Sequence, residues 1–511
     1  MPAFSPLLVT SPAFVHHQAR RRGDAGGVVF GDERLTYGAL ATTIDELGAW
    51  LARRGLGSGD AVGIMAANEP AVVAMLYAVW GLGAVVVPVS VRATAEETTR
   101  QLEHARARAL LCDTKRIDVA RDAGAAVGVP VFACAPAPPL APVIVRRPRR
   151  RLRGRPGAPR TEGLAAIAYT SGSSGSPKGV MLSHRNFFWA SLACAQARGD
   201  RPEGVGACLS ALTHVPVLVS HLLCRILLGA TAVLLEKFDV DSVLASAERW
   251  GVTDLPLIGG MVFDVAGRSD VPAAVRRSVE KVSVGGAPTP MESKRRLAAL
   301  FDGAEVIEAY GQTESTDGVL MARGTSVFDR EGTVGTMNPH VHVAILRPDG
   351  SPAAPGEEGA IVVAGPTVMT GYFRNPQATK AARRGGWLHT GDLGRADADG
   401  YFFLTGRVKD LIITGGENVT PLEVEEVLRL HPDVADVAVI GTPHPTWGEQ
   451  VTAIVVRRDG AMLDGDALAD FAGARLAGFK KPRRIEFVAS LPRNAYNKVQ
   501  THLLKQEFGA P

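Results

Sequence analysis

A loop of glycine, serine and threonine that closes on a lysine carries the clearest chemistry in this sequence. It reads Tyr169-Thr-Ser-Gly-Ser-Ser-Gly-Ser-Pro-Lys178 and follows an apolar run at 164–168. Backbone N–H groups and hydroxyls in such a loop can cradle phosphate oxygens, and the lysine adds positive charge. Gly179 follows the lysine, so the Walker A order is absent, which disfavours a P-loop kinase or GTPase. Taken alone, such a loop could also be a flexible turn. The phosphate contacts that we predict come from Thr170, Ser171, Gly172, Ser173, Ser174, Gly175 and Lys178.

Five further segments place carboxylates, arginines or lysines at turns. In chain order they are Glu308-Ala-Tyr310-Gly-Gln-Thr313-Glu314-Ser315, Trp387-Leu-His-Thr-Gly-Asp392, Gly406-Arg407-Val-Lys409-Asp410, residues 415–425 and Leu491-Pro-Arg-Asn-Ala-Tyr-Asn-Lys498. Side chains of these types bind metal ions and phosphate groups in many enzymes. Together with the loop, they make six segments whose side chains could contact a metal ion or a phosphate group.

The elements that must position these segments alternate between helix and strand in the first part of the chain. Helical signals at 37–54 and from Pro70 are separated by strand signals at 61–65 and 85–89. The alternation resumes at Ala165 and includes helical signals near 240–250 and 291–301. It predicts parallel α/β sheets. Short strands at 341–346, 360–364 and 401–404, between Pro-Asp-Gly and Asp-Gly turns, predict a β subdomain at about 332–406. A small α+β pattern follows it.

We therefore predict an α/β protein with a large N-terminal domain at 1–407 and a small, mobile α+β C-terminal domain at 408–511. The 511 residues are enough for two or more lobes. The stretch 70–91 has no charged residue, but Gly81, Gly83 and Pro88 interrupt it. It predicts a buried helix and strand rather than a membrane span.

Composition narrows the class of protein. Hydrophobic residues at 46% and charged residues at 21% are typical of a globular chain. The net charge of +4 is small, and much of the basic excess lies between Arg146 and Arg155, so we expect no nucleic-acid partner. Five cysteines without CxxC spacing, and no N-terminal signal sequence, predict a reduced, cytoplasmic protein. The arginine-rich stretch is interpreted as a solvated, mobile linker, and a docking patch for an acidic partner is the alternative.

In their order and separations, the six segments closely resemble the adenylate-forming superfamily of acyl-CoA synthetases, non-ribosomal peptide adenylation domains and firefly luciferase. The resemblance extends from Leu35-Thr-Tyr37 to Lys498 and is closest to freestanding fatty-acid and aryl-acid CoA ligases. It implies an ATP-dependent, AMP-forming ligase that adenylates a small acid, releases pyrophosphate and passes the activated group to a nucleophile. ATP and Mg²⁺ are the implied cofactors.

The resemblance also assigns roles in nucleotide binding. The loop Thr170 to Lys178 would hold the β- and γ-phosphates. Glu314 would bind Mg²⁺ and Thr313 the α-phosphate. The remaining contacts would be Tyr310 on adenine, near Gly286, Ala287 and Pro288, and Asp392 and Arg407 on the ribose.

Two lysines of the C-terminal part would have different roles. Lys498 resembles the lysine that reaches the acid's oxygen and the α-phosphate during adenylation, and a positioned cation there would stabilise the developing charge. Asn497 stands where many relatives have glycine, and asparagine tolerates the left-handed backbone that such a turn needs. Lys409 falls at the family's hinge, about which the small domain would rotate between two half-reactions.

The acid pocket would be formed by segments that match those of the family. The implied residues are His214, Gly259, Gly260, Gly285, Ser315 and Asp317. His214, counted among the catalytic residues, would gate the pocket. Asp317 would pair with a substrate amino group if it faces the pocket, or it would be a solvated turn carboxylate.

The acceptor is left open by the motifs around ATP. Coenzyme A is favoured because no carrier domain is fused to the chain and because Lys480 and Lys481 could meet an anionic nucleotide. The alternatives are loading of a carrier protein, oxidation of the adenylate as in luciferase, and activation of nitrite for a diazotase acting on an arylamine. The sequence does not predict an oligomeric state.

Overall fold

The structure is a computed structural model that describes residues 11–135, 142–146, 157, 160, 162–170, 177–286, 289–493 and 499–509. The chain divides into two compact units, Met1–Val343 with Val363–Leu388, and Ala344–Val362 with His389–Pro511. The predicted boundary after Arg407 lies inside the second unit, so a separate domain at 408–511 stays a prediction. Apart from Arg146, which ends a strand, the arginine-rich stretch lies outside the described residues.

The first sheet of the larger unit is parallel at its centre. In spatial order its strands are Gly371–Tyr372, Lys178–Ser183, Leu164–Thr170, Val85–Pro88, Ala61–Met65, Ala109–Asp113, Val131–Cys134 and Val143–Arg146. Strands Leu164–Thr170 to Val131–Cys134 run parallel, and antiparallel strands complete both edges. Parallel neighbours need long crossovers, which accounts for the helix and strand alternation in the sequence.

The second sheet of this unit has the same plan. In spatial order its strands are Thr333–Met337, Gly318–Arg323, Glu305–Gly311, Lys281–Gly285, Asp254–Ile258, Val205–Cys208, Thr231–Leu234, Gly27–Phe30 and Glu33–Leu35. The strands from Glu305–Gly311 to Gly27–Phe30 are parallel. A buried apolar cluster that includes Leu255, Val282, Leu297 and Phe301 packs against them. Burial of this surface supplies much of the driving force for folding.

Helices connect these strands. The α-helices of the larger unit are Ser11–Arg22, Tyr37–Arg53, Pro70–Gly81, Ala95–Ala105, Ile117–Val127, His184–Arg198, Val215–Val217, Cys224–Leu228, Val240–Trp250, Gly260–Ala266, Ala273–Ser278, Met291–Leu300, Ser326–Asp329 and Pro376–Ala382. Thr114–Arg116 and Thr313–Ser315 are 3₁₀ turns, and Leu218–Leu223 is a π-helix. Side chains of Thr94 and Ser183 cap two helix starts with a capping box.

The second unit contains a smaller sheet. Its strands, in spatial order, are Glu417–Val419, Ile412–Thr414, Gly448–Arg457 and Val434–His444, and Arg484–Phe487 also pairs with Gly448–Arg457. The helices are Pro421–Arg429, Gly465–Gly473 and Thr501–Phe508, with a 3₁₀ turn at Val408–Asp410. The chain passes between the units within strands His342–Leu346, Gly359–Ala364 and Trp387–Ala396, and the last of these pairs with Phe402–Arg407.

The predicted α/β class and the α+β pattern of the C-terminal part are confirmed. Helix Pro70–Gly81 is buried along its length up to Trp80, as predicted for the uncharged stretch. Within the described ranges, no helix combines the length and the apolar character that crossing a bilayer requires. The short strand predicted at 401–404 extends to Arg407, which brings this arginine opposite Asp392.

Candidate functional site

Parallel strands bring several of the predicted site residues to one edge of the second sheet. Ile258 pairs with Gly285, and Gly285 pairs with Ala309. Gly259, Gly286 and Tyr310 therefore follow one another at the carboxyl ends of neighbouring strands. Crevices at the carboxyl ends of parallel strands are where open α/β sheets bind ligands. Two pocket segments and the predicted adenine contact thus share one edge.

Glycine is required at two of these strand ends. A Cβ atom on Gly285 would lie 2.8 Å from the carbonyl oxygen of Ala309 on the adjacent strand. Gly259 has φ 58° and ψ −122°, a conformation that other residues avoid, and it starts helix Gly260–Ala266. A side chain at Gly285 would push the adjacent strand away, and one at Gly259 would strain the backbone.

The turn after strand Glu305–Gly311 is tight and strained. Ser315 Oγ accepts a hydrogen bond from the backbone N–H of Gln312 at 3.1 Å and donates to the Asp317 carbonyl at 2.9 Å. Thr316 has φ +72°, an outlier for a β-branched residue, and its hydroxyl donates to the Thr367 carbonyl. Backbone strain of this kind occurs at functional sites. The motif sequence gave no indication of strain at Thr316.

Glu314 contacts a tyrosine that the sequence analysis missed. The hydroxyl of Tyr372 donates to Glu314 Oε1 at 2.9 Å. Lys178 Nζ lies 5.2 Å from the centre of the same tyrosine ring. Burial, followed by the charge of Glu314, raises the pKa of Tyr372, so its hydroxyl keeps the proton. Tyr372 therefore joins the end of the phosphate loop to the predicted metal ligand.

Main-chain pairing holds Tyr372 in this place. Tyr372 pairs with Val180 on the strand that begins at Lys178. The backbone N–H of Phe373 donates to the Gly179 carbonyl at 2.7 Å, and the N–H of Met369 donates to the Glu314 carbonyl at 2.8 Å. Its strand is two residues long, which the sequence pattern could not distinguish from a loop.

His214 lies at the start of helix Val215–Val217, after a loop that a buried asparagine holds. Asn68 Nδ2 donates to the carbonyl of Ser210 at 2.8 Å, and Asn68 Oδ1 accepts from the N–H of Leu212 at 2.9 Å. Burial lowers the pKa of His214 to about 4. The imidazole is therefore neutral at pH 7, and it would contact a substrate through hydrogen bonding or packing rather than as a cation.

Asp317 is buried, with 7% of its surface exposed, so its interpretation as a solvated turn carboxylate is wrong. The turn folds inward before strand Gly318–Arg323 and brings the carboxyl next to Arg198 and Cys194. Burial raises the pKa of Asp317 to about 7, and the Gly318 N–H, Arg198 and Cys194 offset only part of that rise. Arg198 is itself paired with Asp200 at 2.6 Å.

Replacing Asp317 with asparagine should stabilise the protein at pH 8 and change little near pH 4. The folded chain holds the Asp317 proton up to about pH 7, whereas the unfolded chain releases it above about 3.8. Stability contributed by this carboxyl therefore falls as pH rises between these values and stays low above them. We expect a gain of about 2–4 kcal/mol at pH 8, measured by urea unfolding. Asp264→Asn, at an exposed position, is the control. If the free energy of unfolding of both variants changed with pH in the same way, the raised pKa of Asp317 would be contradicted.

The predicted ribose contacts lie together in the second unit. Arg407 Nε donates to Asp392 Oδ1 at 2.6 Å, and the two residues pair across the strands Trp387–Ala396 and Phe402–Arg407. The Asp392 backbone N–H donates to Thr390 Oγ1 at 3.1 Å. A carboxylate held in this way can accept two hydroxyl groups. Lys409 follows in an exposed 3₁₀ turn, and its hinge role stays a prediction.

The two lysines considered for coenzyme A are ion-paired. Lys480 Nζ lies 2.6 Å from Glu423 Oε1, and Lys481 Nζ lies 2.9 Å from Asp470 Oδ1. An anionic acceptor would have to displace these carboxylates. Neither lysine therefore offers a ready anion site in this conformation.

Several predicted site residues lie outside the described residues. They are Ser171, Gly172, Ser173, Ser174, Gly175, Ala287, Pro288 and Lys498. The described neighbours of the loop, Thr170 and Lys178, pair with each other at the ends of two antiparallel strands. Phosphate binding by the loop and the role of Lys498 stay predictions.

The oxygen donor of Glu314 fits a magnesium ion that is coordinated mainly by substrate oxygens. Mg²⁺ is usually held by one or two carboxylates together with phosphates and water. Glu314 Oε1 is oriented by Tyr372, and no group of three potential metal-ligating side chains occurs in the described part of the chain. One oriented carboxylate suits a metal that arrives with ATP.

Comparisons with known proteins identify the family of this chain. A family model described as AMP-binding enzyme matches residues 15–373, and one described as AMP-binding enzyme C-terminal domain matches residues 423–498. A feruloyl-CoA synthase of Amycolatopsis sp is 34% identical over 96% of this chain and 98% of its own length. A 2-succinylbenzoate–CoA ligase of Bacillus licheniformis is 31% identical over 98% of this chain and 100% of its own length.

A solved structure is similar throughout. ATP-bound MatB from Rhodopseudomonas palustris superposes with a TM-score of 0.87 and 29% identity, over 98% of this chain and 99% of that one. The family models cover more than half of the sequence, and both relatives align over almost all of it. The chain therefore belongs to the AMP-binding enzyme family, whose members form adenylates.

Proposed function

We propose that this enzyme is an ATP-dependent, AMP-forming ligase that activates a small carboxylic acid and transfers the acyl group to coenzyme A. The observation that carries the proposal is the contact of Lys178, Tyr372 and Glu314 at the end of the phosphate loop, in a chain of this family. The feruloyl and succinylbenzoate relatives act, by name, on acids with an aromatic ring, which favours an aryl acid as substrate.

In the first half-reaction a carboxylate oxygen of the acid attacks the α-phosphorus of ATP. The bond from that phosphorus to the bridging oxygen breaks, and pyrophosphate leaves with its electron pair. Lys178 and the loop would hold the β- and γ-phosphates, Thr313 the α-phosphate, and Lys498 would reach both the acid and the α-phosphate. Mg²⁺ on Glu314 would supply a Lewis acid that neutralises the phosphate charge.

The nucleotide would be held by contacts away from the reacting atoms. Asp392 and Arg407 would bind the ribose hydroxyls, and Tyr310 would stack on adenine near Gly286. These contacts are equal in the ground state and the transition state, so they would set the affinity for ATP rather than the rate of the chemical step.

In the second half-reaction the coenzyme A thiolate attacks the acyl carbon, and AMP leaves. Rotation at Lys409 would exchange Lys498 for the loop at 415–425, so one site would serve both steps. The neutral imidazole of His214 would stand beside the acid, with Gly259, Gly260, Gly285, Ser315 and Asp317 forming the pocket. The five cysteines are all buried and free, which supports a reducing, cytoplasmic setting.

A pyrophosphate-release screen tests the proposal. The purified chain is offered aryl, aliphatic and inorganic acids with ATP and Mg²⁺, and then coenzyme A, a carrier protein or an arylamine as acceptor. We expect acid-dependent pyrophosphate and AMP, with thioester formed only when coenzyme A is present. Nitrite-dependent turnover with an arylamine would indicate a diazotase instead of a coenzyme A ligase. ADP and orthophosphate as the only products would contradict adenylation itself.

A further inference from the structure

A cavity lined by exposed arginine and lysine side chains adjoins the proposed phosphate site. It has a volume of about 620 Å³ and is lined by Arg374, Lys380, Arg383 and Arg384, with Tyr372 among its apolar and aromatic walls. No acidic residue is among the described residues that line it. In the part of the chain that the structure describes, none of the four cations forms an ion pair with a carboxylate. Four positive charges around one cavity, without a carboxylate partner among the described residues, favour an anion there.

Hydrogen bonds to backbone carbonyls orient two of these cations, Arg383 and Arg384. Gly385 and Gly386 both have positive φ, which is the geometry of a two-residue hairpin turn between the strands that carry Arg384 and Trp387. The guanidinium of Arg383 donates to the Thr370 carbonyl at 2.9 Å, and that of Arg384 donates to the Ala381 carbonyl at 2.6 Å. A guanidinium bonded through one nitrogen keeps other N–H groups for a ligand.

The cavity adjoins the predicted phosphate-binding residues through Tyr372 and Arg374. Tyr372 lines it and contacts both Glu314 and Lys178. Tyr169 directly precedes the predicted phosphate loop, and its hydroxyl lies 2.7 Å from Nδ1 of His104. The positive charge of Arg374 is close enough to act on the pKa of both side chains, although burial has the larger effect. Arg374 has φ +55°, an uncommon conformation for a residue other than glycine. Tyr372 and Arg374 therefore belong both to the cavity and to the surroundings of the residues that flank the predicted phosphate loop.

We propose that this cavity binds inorganic pyrophosphate after adenylation and forms its exit site. The inference rests on the proposed function, because adenylation supplies the pyrophosphate. Arginine and lysine donors could bind the diphosphate group of pyrophosphate or that of coenzyme A equally well. The position beside Glu314 and Lys178 favours the product of the first half-reaction.

The test is direct binding of magnesium pyrophosphate to the full chain, with pyrophosphate inhibition of acid-dependent AMP formation as a second measurement. The double variant Lys380→Gln and Arg384→Gln should weaken both by about tenfold, because two charged donors to phosphate are lost. Matched control Arg295→Gln and Arg296→Gln removes the same charge from exposed positions of helix Met291–Leu300 and should stay within about twofold of the parent protein.

A second pair of variants separates the effect of charge from an effect on folding. The charge-conserving pair Lys380→Arg and Arg384→Lys should bind pyrophosphate like the parent, which separates charge from folding. Unchanged pyrophosphate binding in the glutamine variant would overturn the proposal, as would a loss confined to the KM for coenzyme A. Because binding is measured without acid, pyrophosphate affinity that depends on these cations would support the site even if no acid is ever adenylated.

Discussion

Glu314→Gln is expected to lower the rate of acid-dependent pyrophosphate release by about 10²- to 10³-fold. The amide keeps the size of the side chain and can still accept the hydrogen bond that Tyr372 donates at 2.9 Å. It loses the negative charge, and a neutral amide is a poor ligand for Mg²⁺. The measurement is burst formation of adenylate at saturating ATP over a range of Mg²⁺ concentrations.

Tyr372→Phe is the matched control for this substitution. It removes the hydrogen bond to Glu314 and leaves the carboxylate, so the expected loss is less than about tenfold. High Mg²⁺ should recover part of the rate of the phenylalanine variant, since its carboxylate is intact but less well oriented. If Glu314→Gln turned over at the parent rate at every Mg²⁺ concentration, the metal role of Glu314 would be rejected.

Lys498→Ala should suppress adenylate formation by about 10²- to 10³-fold and largely spare thioester formation from a supplied acyl-adenylate. A lysine beside the α-phosphate stabilises charge that grows as the acid oxygen attacks, and this charge is absent in the second half-reaction. The two half-reactions are measured separately, with pyrophosphate release for the first and thioester formation for the second.

Lys505→Ala provides the comparison, because Lys505 is an exposed lysine on helix Thr501–Phe508. Its removal changes the same charge and should leave both half-reactions within about twofold of the parent. Equal losses in both half-reactions for Lys498→Ala would show that the lysine acts on nucleotide binding or on folding. The assigned role in adenylation would then have to be abandoned.

Much of the fold follows from local patterns in the sequence. Helix Val240–Trp250 and strand Ala61–Met65 occupy the predicted residues, because periodicity and breakers are local signals. The ends of strands are harder to predict. Strand Phe402–Arg407 runs three residues beyond its predicted end, because pairing with Asp392 to Ala396 extends it. Pairing partners far along the chain are invisible to a local pattern.

The sequence by itself determined the family, the order of the nucleotide-binding segments and the chemical type of each candidate residue, since these depend on residue identity and spacing alone. Only the tertiary structure decided that Tyr372 meets Glu314, 58 positions away, that Asp317 is buried beside Arg198, and that four cations around one cavity lack carboxylate partners among the described residues. The physical reason is that burial and charge pairing arise from contacts between distant segments, and these contacts exist only once the sheets have formed.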